Sequence, residues 1–137
     1  MVTIFLGQTF EAKNFLLQNY RGETAMAMGW GMTSVGSPQS PVLNHVKLTV
    51  SQISEKHWLY TEVPFTVDGV LQDPCGGDSG GPLVHQNPVT GRWTIIGTVQ
   101  GYGYDCRTGT ISTDYHGKGR WNKVTGHLEW IKSVIGN

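Results

Sequence analysis

The chain has 137 residues, and its ten basic residues balance ten acidic ones, so the formal net charge is zero. This length suits a single domain with a core of its own, and the balanced charge offers no basic surface to nucleic acid or to an anionic membrane. The apolar start, Met1 to Leu6, is shorter than a secretion signal or a membrane span requires. We therefore expect neither nucleic acid nor a membrane among the partners of this chain.

Short extended segments dominate the predicted secondary structure, after an extended lead-in over residues 1–23 with one helical turn near Leu16. The predicted strands and extended segments are Thr24–Trp30, Val42–Ser51, Trp58–Val63, Phe65–Val70, Leu83–Val84, Arg92–Gln100 and Trp121–Val124. The second is the clearest, because its apolar and polar residues alternate with period two: Val46, Leu48 and Val50 against Lys47 and Thr49.

Loops and one terminal helix complete the pattern. Residues 34–41 form a predicted surface loop, and a turn over 87–91 joins two strands into a hairpin. Long loops are expected over 101–118. The only helical period lies near the C-terminus, where Thr125 could cap the first turn; its apolar positions are Leu128, Ile131 and Ile135. Many short strands, abundant glycine and one terminal helix predict an all-β barrel or sandwich.

The two cysteines, Cys75 and Cys106, have two interpretations. In an extracellular setting an even count suggests one disulfide, whereas a cytosolic setting suggests two free thiols. No histidine and cysteine have the spacing of metal ligands, so we expect no metal and no cofactor.

One glycine-rich stretch organises the rest of the chain. It reads Cys-Gly-Gly-Asp-Ser-Gly-Gly-Pro over residues 75–82, with Ser79 among four glycines. Glycines at this density indicate a backbone that bends where other residues cannot follow. A serine on such a bend exposes its hydroxyl beside main-chain N–H groups, which is the arrangement of a nucleophile next to an oxyanion hole.

The stretch and its surroundings resemble the C-terminal half of a trypsin/chymotrypsin-like serine protease. The matching segments, in family order, are Gly29–Gly31, Asp73–Val84, Ile96–Val99, Cys106, Gly119–Val124 and Trp130–Ile131. The resemblance implies a six-stranded antiparallel β-barrel of the chymotrypsin-like fold with a C-terminal α-helix. Residues 1–137 would then be one partial protease domain, secreted to the extracellular space.

The resemblance also implies roles for the residues of the serine stretch. Ser79 is expected to be the acyl-transfer nucleophile, and the N–H groups of Gly77 and Ser79 the oxyanion hole. Asp78 matches the carboxylate that receives the new N-terminal ammonium on activation. Cys75 and Cys106 match a family disulfide.

A substrate pocket follows from the same alignment. Asp73 matches the pocket floor that attracts Lys or Arg in trypsin. The remaining expected pocket residues are Gln100, Tyr102, Gly103 and Gly119. Where the family usually has Ser-Trp-Gly, this chain has Gln-Gly-Tyr at 100–102, so either Tyr102 or Gly103 takes the place of the wall glycine.

The sequence departs from the family in several respects. None of the five histidines has the context of the family's general base, and we expect all five to be ordinary surface or core residues: His45, His57, His85, His116 and His127. Ala25 and His85 stand where the family has a second disulfide. Without the ammonium partner of Asp78, the oxyanion loop is expected to keep a zymogen-like shape.

Three interpretations of function remain open at this stage. The chain is the serine-bearing portion of a secreted endopeptidase, acting on a protein or peptide once an N-terminal half supplies the missing groups; or it is a non-catalytic protease-like binding module; or it is a truncated product with no independent role. Gly77 to Gly81 also satisfies the Gly-x-Ser-x-Gly pattern of α/β-hydrolases, but no helix is predicted after Ser79, as that fold requires.

Overall fold

The computed structural model describes residues 19–54, 56–63, 69 and 71–136. Its strands are β1 (Thr24–Gly29), β2 (Asn44–Ile53), β3 (Trp58–Thr61), β4 (Pro82–Gln86), β5 (Trp93–Gly101), β6 (Tyr104–Asp105), β7 (Thr110–Ile111) and β8 (Gly119–Lys123). A short 3₁₀ turn, Val124–His127, leads into helix α1, Leu128–Ile135.

Six of the strands form a closed antiparallel barrel in the order β1-β2-β3-β8-β5-β4, with β4 pairing again with β1. Closure gives each barrel strand two neighbours, so that few backbone groups of the sheet are left unpaired at an edge. The strands β6 and β7 pair only with each other, as a small hairpin outside the barrel. The expected six-stranded barrel with one terminal helix is confirmed.

The core of the barrel is built from inward-facing residues that alternate along the strands. Trp121 of β8 is the largest of the side chains with no exposed surface, and its ring N–H donates to the Thr61 hydroxyl at 2.9 Å. This bond satisfies a polar group that would otherwise be buried without a partner. In β2, Leu48 and Val50 are buried and Val46 packs beside them, as the alternation predicted.

The junction between β1 and β4 holds a buried histidine. His85 is 4% exposed, and its Nε2 lies 3.2 Å from the Glu23 carboxylate. The Tyr20 ring packs against the imidazole, with ring centroids 5.0 Å apart. β1 pairs with β4 through Met26 opposite Val84 and Ala27 opposite Leu83. Extending this register by one residue would set Ala25 opposite His85, the two positions expected to replace a family disulfide.

This register predicts that the double variant A25C/H85C forms a disulfide. Opposed residues of an antiparallel pair lie at a separation that a disulfide spans. We expect a gain of about 2 kcal/mol in the free energy of unfolding, because the cross-link closes a long loop while the His85–Glu23 pair is lost. Non-reducing mass spectrometry and urea unfolding measure the bond and the gain. Each single cysteine variant is the control, and two free thiols in the double variant would show that the register is different.

Two sequence predictions need correction, and two others lie wholly or mostly outside the described residues. Thr125 does not cap the helix: it lies inside the 3₁₀ turn, and His127 at the N-cap makes no side-chain cap bond. Residues 101–118 are not loop throughout, because β6 and β7 lie within them. The helical turn near Leu16 and most of the extended segment at 65–70 lie outside the described residues. No helix in the described part of the chain is long and apolar enough to cross a membrane.

Candidate active site

Ser79 lies on an exposed loop between the Cys75 disulfide and β4. Two successive turns shape this loop: the Asp78 N–H donates to the Cys75 carbonyl at 2.9 Å, and the Gly81 N–H donates to the Asp78 carbonyl at 2.8 Å. Gly77 has a φ of 99°, which side-chain-bearing residues rarely adopt. The loop leads directly into a strand, so the strand-to-helix elbow of an α/β-hydrolase is absent.

The orientation of the peptide bond between Gly76 and Gly77 is fixed by Met32. The Met32 N–H donates to the Gly76 carbonyl at 2.9 Å. In a planar trans peptide, C=O and N–H point in opposite directions, so the Gly77 N–H points away from Met32. The N–H groups of Gly77 and Ser79 are both without an acceptor in the described residues.

Two backbone N–H groups hold the carboxylate of Asp78. One oxygen accepts the Gly31 N–H at 2.8 Å, and the other accepts the Cys75 N–H at 3.0 Å. Gly29 and Gly31 leave the space for it: a Cβ on Gly31 would be 2.5 Å from the carboxyl carbon, and one on Gly29 would be 2.9 Å from it. The Gly-Trp-Gly segment therefore holds the side chain that anchors the serine loop.

The cysteines form the disulfide that the resemblance implied. Cys75 and Cys106 are bonded, with their Cα atoms 5.7 Å apart, and both are buried. The separation is within the usual range for such a bond. The disulfide joins the serine loop to the segment that follows β6.

Asp73 is a partly buried residue that lies two positions before Cys75. Its Oδ2 accepts the N–H of Gly103 and, at 3.1 Å, the N–H of Tyr104. Its Oδ1 is shielded from solvent and has no hydrogen-bond partner within the described residues. Burial raises the pKa of Asp73 from 3.8 to about 7, against the lowering effect of the Tyr104 and Gly103 N–H groups. This carboxylate would gain from a cationic partner.

The structure brings some of the expected pocket residues together and separates another. Gly103 binds Asp73 through its N–H, and Gly119 lies close enough that a Cβ there would be 3.1 Å from Asp73 Oδ1. The side chain of Gln100 points elsewhere, because its amide oxygen accepts a bond from Arg120. Tyr102 has no hydrogen bond to Asp73 in the described part of the chain; its hydroxyl accepts a bond from Arg107.

The long segment after Cys106 packs back onto the wall formed by residues 101–104. The Ser112 N–H donates to the Gly103 carbonyl at 2.7 Å. The Tyr115 ring covers Gly101 so closely that a Cβ there would lie 3.1 Å from its Cζ. Arg120 holds this ring from the neighbouring strand, with its Nη2 2.8 Å from the Tyr115 hydroxyl.

None of the five histidines hydrogen-bonds Ser79 in the described part of the chain. His85 is buried against Glu23, and the rings of His57 and His127 lie 5.9 Å apart at the surface near the start of α1. His45 and His116 are exposed. Within the same residues, no group of three or more His, Cys, Asp or Glu side chains could hold a metal ion.

Several contacts of the site were not foreseen from the sequence. The most important are the Met32 and Gly31 N–H groups on the serine loop, the Tyr104 N–H on Asp73, and Arg107 beside Tyr102. Main-chain donors carry no side-chain pattern, so only Gly29 and Gly31 offered a clue, as glycines that tolerate a close approach.

Comparison with known proteins gives a consistent result. The family model described as Trypsin matches residues 14–118. The chain is 29% identical over 120 residues to the Clotting factor G beta subunit of Tachypleus tridentatus, covering 77% of this chain and 37% of that protein. It is 33% identical over 124 residues to Serine protease 1 of Drosophila melanogaster (87% and 42%), and 32% identical over 120 residues to Phenoloxidase-activating enzyme 1 of Spodoptera litura (83% and 30%).

The chain spans less than half the length of each of these three relatives. The matched region contains the serine loop, the disulfide and Asp73, and it ends just before β8. On the match over most of its length, together with the barrel, the chain belongs to the trypsin family of serine proteases.

Proposed function

We propose that this chain is the serine-bearing barrel of a secreted serine endopeptidase. In this proposal Ser79 loses its proton to a general base and attacks the substrate carbonyl. The peptide C–N bond breaks, the leaving amine takes up the proton, and water hydrolyses the resulting acyl-enzyme to a carboxylic acid and free Ser79. The observation that carries the proposal is the pair of N–H groups at Gly77 and Ser79 without an acceptor in the described residues. The Met32 bond to the Gly76 carbonyl orients the first, and the Gly81 bond to the Asp78 carbonyl orients the second. Donors placed in advance where negative charge develops stabilise the tetrahedral intermediate.

The edge of β5 supports a peptide as the substrate. β4 pairs with β5 only as far as Thr98, and the serine loop continues beside it through bonds between Val99 and Gly80 (3.0 Å) and between Val99 and Gly81 (2.9 Å). Beyond Val99, this side of the strand has no ladder partner in the described residues. An extended peptide can add there as a further strand, with its scissile carbonyl near Ser79.

The pocket floor supports a substrate with a cationic side chain. Asp73 has one carboxylate oxygen occupied by N–H donors and the other buried without a partner. A Lys or Arg side chain would pair with that oxygen and favour the ionised form of Asp73. In this proposal Asp73, Gly103 and Gly119 line the base of the pocket.

In this proposal no described group near Ser79 acts as its general base, and the chain alone does not hydrolyse peptides. A serine hydroxyl needs a base to become a nucleophile, and within the described residues no histidine hydrogen-bonds Ser79. In the proposal, a further segment or partner supplies the base, its orienting carboxylate and the cation for Asp78. The Cys75–Cys106 disulfide fits an oxidising compartment, which supports secretion.

The same histidine positions favour one alternative, a non-catalytic binding module that keeps the barrel and the β5 edge. The two functions differ in whether Ser79 is reactive once a base is present. A soluble base can be added to the purified chain, so the question does not depend on finding the natural partner.

We expect the purified chain to react with a fluorophosphonate at Ser79 slowly on its own and faster in proportion to added imidazole. Imidazole replaces the missing base. The N–H groups of Gly77 and Ser79 donate to the phosphoryl oxygen, on which negative charge develops during the attack. Peptide mapping by mass spectrometry gives the rate at Ser79 and at Ser133, an exposed-helix serine that serves as the internal control. Ser79→Ala is the matched negative control.

Equal rates at Ser79 and Ser133 with imidazole present would favour the binding module. Fast labelling of Ser79 without imidazole would show that the chain already contains its base. Either result contradicts the proposal as stated.

A further inference from the structure

The side chain of Arg107 contacts both the wall that follows β5 and the serine loop, the two sides of the proposed pocket. Arg107 donates from Nη2 to the Tyr102 hydroxyl on the wall that follows β5. The stem of the same residue packs on Gly76 of the serine loop, where a built Cβ would lie 3.4 Å from Arg107 Cδ. Tyr102 and Arg107 therefore bridge from the wall to the serine loop.

A carboxylate holds the bridge in place. Asp105 accepts Arg107 Nε at 3.1 Å on one oxygen and Nη2 at 3.1 Å on the other. This bidentate geometry fixes the plane of the guanidinium and directs it at Tyr102. The Arg107 N–H also donates to Asp105, at 2.9 Å, so the turn after Cys106 sets both partners.

Asp73 lies on the inner side of the bridge. Its Oδ2 is bonded to the N–H groups of Gly103 and Tyr104, the two residues that directly follow Tyr102. Its Oδ1 has no exposed surface, whereas the Arg107 side chain is 54% exposed. The Arg107 end of the bridge is thus exposed, whereas the Asp73 carboxylate, bonded to the two residues after Tyr102, is shielded.

We propose that Tyr102 and Arg107 form a gate, so that a long cationic side chain reaches Asp73 only after the two residues separate. The inference rests on the pocket assigned under the proposed function and names the residues that decide which ligands enter it. With the gate closed, the bonded side chains of Tyr102 and Arg107 block the approach to Asp73. Affinity for a Lys or Arg side chain is therefore lower than Asp73 alone would give, because part of the binding free energy opens the gate.

Binding of benzamidinium to the full chain tests the gate without requiring catalysis. We expect Tyr102→Phe and Arg107→Gln each to bind benzamidinium about tenfold more tightly than wild type, because each variant removes a charge-assisted hydrogen bond that opening must break. Isothermal titration at pH 8 measures the dissociation constants with Asp73 ionised, since this pH is above its pKa of about 7. Arg21→Gln, on the exposed lead-in, is the matched control and should bind like wild type.

The double variant Y102F/D73N separates the gate from the pocket. Loss of the tighter binding in this variant places the ligand on Asp73, as proposed. Wild type that binds as tightly as Tyr102→Phe overturns the gate while leaving the pocket intact. If neither gate variant binds benzamidinium, the gate proposal is also overturned, because opening the gate then exposes no binding site. Tighter binding together with an unreactive Ser79 would support the gate and contradict the endopeptidase.

Discussion

Replacing Asp73 with Asn is expected to stabilise the chain at pH 8 by up to about 4 kcal/mol and to change little at pH 4. Burial raises the pKa of this carboxyl from 3.8 to about 7, so the folded state retains a proton that the unfolded chain has lost between these values. Wild-type stability therefore falls as pH rises from about 4 to 7, by roughly 1.4 kcal/mol for each unit of the shift. Asn carries no charge, and its oxygen can still accept the Gly103 and Tyr104 N–H groups.

Urea unfolding of both proteins at several pH values measures this effect as a difference between them. Asp105→Asn is the control of opposite sign, because hydrogen bonds from the Arg107 guanidinium lower the pKa of that carboxyl. Its contribution to stability is present above the ordinary pKa and disappears as pH falls, so the variant should be slightly less stable at pH 8. A constant difference between wild type and Asp73→Asn at every pH would show that Asp73 titrates normally.

A second large effect is expected at Gly31. The variant Gly31→Ala should lose about 2–4 kcal/mol in the free energy of unfolding, because its Cβ would lie 2.5 Å from the Asp78 carboxyl carbon. The carboxylate must move, and it then loses the N–H donors of Gly31 and Cys75. Hydrogen exchange of residues 76–80 should accelerate together with the loss of stability, since Asp78 anchors that loop.

Gly76→Ala provides the matched control on the loop itself. The nearest atoms to its new Cβ are side-chain atoms of Met32, at 3.2 Å, and Arg107, at 3.4 Å, which can yield. We expect a cost below about 1 kcal/mol. Equal losses of unfolding free energy in Gly31→Ala and Gly76→Ala would mean that the close approach of the Asp78 carboxylate is not the reason for the glycine at position 31.

Local patterns predicted most of the barrel. The alternation in β2 and the turn at residues 87–91 depend on neighbours in sequence, and both appear as expected. The β6–β7 hairpin was missed because two-residue strands have no periodicity to detect. Thr125 is a good capping residue by type, but the 3₁₀ turn moved the start of α1 beyond it.

The sequence predicted which side chains form the candidate site but not which groups hold them in place. The resemblance in the serine stretch assigned roles to Ser79, Asp78 and Asp73. Their partners are backbone N–H groups far away in sequence, such as Gly31 for Asp78 and Tyr104 for Asp73. Backbone donors are the same at every non-proline residue, so only the folded chain can show which ones are used.

The position of β8 also has a consequence for biosynthesis. This strand lies between β3 and β5, yet it is the last to leave the ribosome. Until it arrives, both neighbours carry unpaired backbone groups, and Trp121 is missing from the core. The barrel therefore closes only after residues 119–123 have emerged, and a nascent chain that pauses before residue 119 presents two open edges to aggregation or to a chaperone.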